Sequence, residues 1–130
     1  MENILDIRHW SAGVGAIVGE FLGAFDGLLY ALVAFIVIDY VTGVLCAIVE
    51  HNLSSATGFR GIAQKVCILV LVGIANILDV HIIGSGCVLR TAVIFFYLSN
   101  EGISIVENAA RIGLPVPEKI VEVMKQLRHK

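Results

Sequence analysis

The side chains in this chain that could do chemistry are few, and they stand where charge is expensive. Asp39 lies near the middle of GLLYALVAFIVIDYVTGVLCAIV (27–49), where it is the one side chain ordinarily charged at neutral pH. Asn76 and Asp79, three residues apart and so on one helical face, close a second apolar run, and Arg90 opens a third whose later half holds Asn100 and Glu101. A carboxylate at the centre of a membrane helix costs about 2.5–3.5 kcal/mol, while each Leu, Ile, Val or Phe returns about 0.3–0.6 kcal/mol. The chemistry on offer is therefore electrostatic. His9, His51, His81 and His129 fall at four separate segment ends, and no Ser or Cys has an evident base beside it. Cys46, Cys67 and Cys87 are single residues within apolar runs, which suits small packing groups. No phosphate-binding loop, dinucleotide glycine pattern or paired-Cys zinc spacing occurs, so the expectation is no catalytic residue, no cofactor, no metal and no enzyme activity.

Long apolar helices must position these groups. Residues 27–49 would form a helix of about 34 Å, enough to cross a hydrocarbon core of about 30 Å. A second span is expected over 62–80 and a third over 87–108. A polar loop from His51 to Gly61 joins the first two, and an uncharged turn from His81 to Gly86 joins the last two. A chain that is 58% hydrophobic and 15% charged, with a mean hydropathy of +0.90, has no polar skin for a soluble core, and its formal charge of -2 argues against nucleic acid. The fold class expected is an all-α integral membrane bundle of three transmembrane helices, spanning 27–110.

Two flanking segments complete it. Met1–Trp10 carries Glu2 and Asp6 against Arg8, without the basic start of a secretory signal. Within the leader, 1–26, the stretch Ser11–Phe25 with Gly15, Gly19, Gly23 and Gly27 at every fourth position predicts a short amphipathic helix. Its bare strip would let another helix approach for self-association, the helix either resting at the interface or crossing as a fourth span. After Arg111, Gly113, Pro115 and Pro117 break the third helix. An amphipathic tail helix then follows within 111–130, with Ile120, Val123, Met124 and Leu127 opposite Lys119, Glu122, Lys125 and Arg128. Arg60, Lys65, Arg111, Lys119, Lys125 and Arg128 all fall on one membrane side, with Lys65 close enough to the start of its span to reach back to the headgroups. The excess of basic residues puts that side, and the tail, in the cytoplasm.

Antiparallel packing of the second and third spans brings Asp79 and Arg90 to similar depth, where they either form an intramembrane ion pair or reach water separately. Asp39 and Glu101 have no evident partner within one chain, although a compact bundle would let Lys65 reach Glu101. Together with Asn76 and Asn100 they are candidates for a polar interior or lumen, which a homo-oligomer in the lipid bilayer would hydrate.

DYVTGVL at Asp39–Leu45, GFRG at Gly58–Gly61 and above all RTAVIFFYLSNEGISIVENAARIGLPVPEKI at Arg90–Ile120 resemble one family. The resemblance, from about Leu28 to Leu127, is to the phage lysis and toxin-secretion holins, holin family 4. It implies a multi-pass protein of the bacterial cytoplasmic membrane, encoded by a phage or prophage, that accumulates and then assembles at a set time into holes. An endolysin, or in relatives a large toxin, passes through them. No catalytic residue carries over. Two rivals stand beside it. One is a small proton-coupled exporter-like dimer with Asp39 as its cation site among Tyr30, Phe35 and Tyr40, which the C-terminal block does not suit. The other is a non-porating holin antagonist or membrane anchor.

Overall fold

The computed structural model describes the backbone over residues 2–128, and side chains over 3–123 and at 126; Lys125 and Arg128, expected as surface cations, lie outside the described side chains. The described chain is all-helical: α1 Glu2–Leu22, α2 Gly27–Val49, α3 Ser55–Ile77 running into a π-helical segment Leu78–Ile83, α4 Val88–Ile112 and α5 Glu118–Arg128. Two of these are long and apolar enough to cross a membrane, Gly27–Val49 and Ser55–Ile83. The first coincides with the expected span; α4, of similar length, is not among them, and it carries Arg90, Glu101, Glu107 and Arg111.

Each helix begins and ends for an identifiable reason. Asp26 is extended and accepts the Leu29 N–H at 2.9 Å, which starts α2. Ser54 does the same for α3 through Thr57 N–H at 3.4 Å, so Ser55–Gly61, expected as loop, forms the first two turns of a helix. Tyr40 of α2 lies over Gly58 and Gly61, its ring 3.6 Å from where a Cβ of Gly61 would stand, an ordinary packing distance. Gly113, at φ 114°, ends α4 in the left-handed conformation, with Leu114 N–H reaching back to the Ala109 carbonyl at 3.0 Å. The expected turn from His81 is instead a π-helical continuation, closed by Gly84 at φ 80°.

The amino-terminal end departs most from expectation. Polar leader and glycine helix are one helix, and it stops at Leu22, so Gly23 and Gly27 leave the supposed four-glycine strip. Gly23, at φ 88°, is the turn residue, and a Cβ there would overlap Asn76 and Arg90. Gly27 is the first residue of α2. Gly15 and Gly19 remain on α1, where an added Cβ would meet nothing within 4 Å.

The core is a seam of Leu29, Leu32 and Ile36 from α2, Ile68 and Val72 from α3 and Ile94 from α4, closed at one end by Leu22. α2 lies along α4 over the greatest length, with α3 against both. α1 reaches the bundle only at its last turn, where the Phe21 ring fills the place that a Cβ of Gly73 on α3 would occupy. Residues 3–18 of α1 are exposed throughout, including Ile7, Trp10, Val14 and Ile17. The bundle likewise turns Tyr30, Val37, Val41, Phe95 and Phe96 outward. Apolar surface this continuous suits lipid rather than water.

Candidate functional site

Two polar clusters sit in this apolar frame, one at each end. The first joins α1 to the start of α4. Arg90, 4% exposed, donates from Nε to the Leu22 carbonyl at 2.6 Å, from Nη2 to the Ala24 carbonyl at 2.9 Å, and from Nη1 to Asp26 Oδ2 at 2.9 Å. Asn76 Nδ2 donates to the Phe21 carbonyl at 3.1 Å. A helix leaves its last carbonyls unpaired, and here two side chains from other helices satisfy them. Asp79, 1% exposed, accepts the backbone N–H groups of Leu89 at 3.1 Å and Arg90 at 2.8 Å. The expected Asp79–Arg90 ion pair is therefore corrected: the carboxylate caps α4, whose own cap residue Cys87 makes no side-chain bond to the helix's first N–H groups, while the guanidinium turns to Asp26. Arg90 holds the Asp26 carboxyl below the usual carboxylate range, helped by the Leu29 N–H. Asn76, expected in a lumen, belongs to this clasp.

The second cluster lies between α2, α3 and α4. Lys65 Nζ donates to Asp39 Oδ2 and, at 2.7 Å, to Glu101 Oε2. Both acids are nearly inaccessible, with side chains 7% and 6% exposed. Asn108 Nδ2 donates to Asp39 Oδ1 at 3.1 Å and to Thr42 Oγ1 at 3.0 Å, tying the far end of α4 to α2. Lys65 was expected at the membrane surface. Because α3 starts at Ser55, that residue lies about 15 Å inside the helix, and two carboxylates draw it inward. Asp39 and Glu101 thus find their partner within one chain. Asn100 does not join them: successive helical residues point about 100° apart, so with Glu101 turned in, Asn100 is exposed on the outer face of α4.

A cleft of about 680 Å³ leads from the α2–α3 connection to this cluster, lined by Ser54, Arg60, Gln64, Asn108 and Arg111 and reaching Asp39 and Lys65. At its mouth Arg111 grips Glu50 with Nε at 3.0 Å and Nη2 at 2.5 Å, and this pairing keeps the Glu50 carboxyl below its ordinary range. Arg60 and Lys119 are exposed. Asn108, Glu50 and Asp26 escaped the sequence reading as site residues. Only Asp26 carried a local signal, an Asp just before an apolar run.

Nothing in either cluster has the geometry of a nucleophile with its base, and among the described residues no His, Cys, Asp and Glu group could hold a metal ion. What the arrangement can do is keep charge inside an apolar bundle.

The comparisons agree with a membrane role. The chain is 40% identical over its whole length to an uncharacterized 14.9 kDa protein in the nagH 3' region of Clostridium perfringens, covering 99% of that protein. It is 52% identical over 82% of its length to an uncharacterized protein of Listeria monocytogenes, covering 75% of that one, and 41% identical to an uncharacterized protein of Halalkalibacterium halodurans, with 94% of each chain aligned. No solved structure matches. Family membership points to a non-enzymatic membrane role, and residues 16–129 match the bacteriophage holin family, to which this chain belongs.

Proposed function

We propose that the protein is a holin that oligomerises in the bacterial cytoplasmic membrane and opens, at a set time, holes through which an endolysin or an exported toxin leaves the cell. The observation that carries this reading is the family match over 16–129 on a bundle whose apolar helices enclose a charged cluster. Three spans, α2, α3 with its π segment, and α4, put Arg60, Arg111 and Lys119 on the cytoplasmic side with the tail helix. Arg90, Glu101 and Arg111 make α4 the costliest of the three, but Asp26, Lys65 and Glu50 pair them. Copies associate through small and polar positions, exposed Gly15 and half-buried Gly19 on α1 and exposed Asn100 on α4. Asn100 is an amide near the helix midpoint that gains a hydrogen-bonding partner, or water, only in an assembly. Asp39 and Glu101 then face the lumen when the inner cluster opens.

Inducible expression in bacteria with and without a cytoplasmic endolysin tests the proposal, with membrane potential followed in both. The expected result is abrupt loss of potential in both cultures and lysis only with the endolysin. Drug resistance without lysis would point to the exporter, and neither effect to an antagonist. Asp39→Asn should shift lysis timing, and Gly19→Ile should delay lysis; unchanged timing removes the corresponding residue from the mechanism.

A further inference from the structure

The inner cluster does not balance. Asp39 and Glu101, both nearly inaccessible, bring two negative charges to one half-buried ammonium, so the fully ionised cluster carries a net charge of -1 between apolar helices. The remaining groups on the elements packed around it do not supply the missing charge. From α2 come Tyr40, which is uncharged, and Glu50, which Arg111 neutralises at the cleft mouth. From α3 comes Arg60, exposed at the rim. From α4 come Asn108 and Ser104, which are uncharged, and Glu107 beside Arg111. Two carboxylates converging on one donor cannot both ionise cheaply.

The hydrogen bonds also distinguish the two acids. Asp39 receives Lys65 on one oxygen and Asn108 on the other. Glu101 receives Lys65 alone among the described residues. A carboxylate with more donors is the better anion, so Glu101 is the one to be neutral. The cleft touches Asp39, Lys65, Ser104 and Asn108 but not Glu101, which leaves Glu101 in the drier place while giving the cluster a polar path to the Arg60 and Arg111 end.

From this geometry we propose that the Asp39–Lys65–Glu101 cluster is a binding site for one exchangeable proton, carried on Glu101 against Asp39 and taken up from the Arg60 and Arg111 end through the cleft. Binding transfers a proton from a hydronium ion, which is left as water, to form one carboxyl O–H bond and brings the cluster from -1 to zero; release to water restores the charge. The site deepens the proposed function, since it rests on the bundle lying in a membrane, but it does not require that holes form.

Difference infrared spectroscopy of the full chain in phosphatidylglycerol bilayers, titrated with pH, tests it. The expected wild-type result is one carboxylic C=O band that persists at neutral pH and is lost in alkali. Asp39→Asn and Glu101→Gln should each abolish the band, because either leaves a single acid opposite Lys65 and needs no proton. A wild-type spectrum without the band at neutral pH overturns the proposal, as does a band that survives both substitutions. The wild-type spectrum alone is decisive should either variant fail to fold. In vesicles, a pH step on the side where the tail is cleaved by added protease should move the band, and response only to the opposite side overturns the access route. The band without lysis leaves the proton site standing and removes the holin reading; lysis without the band does the reverse.

Discussion

The two polar clusters use the same ingredients, one cation and two carboxylates each, in opposite ways. Around Arg90 most partners are backbone: carbonyls of Leu22 and Ala24, and amides of Leu89 and Arg90 itself for Asp79. Around Lys65 the partners are side chains. Backbone groups at helix ends are fixed in number and must be paired wherever the chain folds, so the Arg90 cluster is a clasp that makes the fold. Side chains are exchangeable and can be neutralised together without undoing a helix. The Lys65 cluster therefore has freedom to change state, and a cleft leads to it.

Removing Lys65 breaks this comparison most sharply. Lys65→Met leaves two acids buried without their cation and should cost about 3–5 kcal/mol in detergent unfolding. The neutral triple variant, Asp39→Asn with Lys65→Met and Glu101→Gln, should recover most of that loss yet give no lysis. If it stays as unstable as Lys65→Met, the inner cluster belongs to the fold as well.

Arg90→Met should cost about 3 kcal/mol, near the low end for a broken buried pair because Asp26 is about half exposed. It should also make α1 the first segment cleaved by protease. Adding Asp26→Asn should not rescue it, since the Leu22 and Ala24 carbonyls stay unpaired; full rescue would make the clasp an ordinary ion pair. Next in size, Gly73→Leu puts a side chain where the Phe21 ring lies and should destabilise by about 1–3 kcal/mol, with Phe21→Ala partly compensating in the double variant.

The smallest effect concerns acid. Asp26 is depressed in the folded chain, so its contribution is complete above the ordinary Asp value of about 3.9 and disappears as pH falls through its lower folded value. The stability difference between wild type and Asp26→Asn should be constant from neutral pH down to about pH 4 and then close. A difference that instead grows in acid would contradict the pairing with Arg90.

How much of this was legible depended on range. Helix α2 could be read from composition alone, because an apolar run of that length is long enough to cross a membrane. Lys65 meeting Glu101 was foreseeable only as a condition on compactness; that Asp39 shares the same ammonium depends on how α2 rotates about its axis. Ser55–Gly61 looked like a loop because Ser, Thr and Gly are weak helix formers, yet Ser54 caps it and Tyr40 fills the space its glycines leave. The glycine ladder misled for a related reason. Spacing of four marks one face only while the helix continues, and Gly23 ends it. Asp79 and Arg90 do meet, but at a backbone N–H rather than at the guanidinium, because two helix ends compete for the same side chains.

Phe21 seated against Gly73 makes the first helix a lever fixed at one end. Its arm is about 30 Å long, so a tilt of about 10° at the pivot carries the far tip through about 5 Å. A rearrangement within the bundle too slight to separate its core would thus be amplified along the arm, to about 3 Å at Trp10 and more at the apolar residues beyond it.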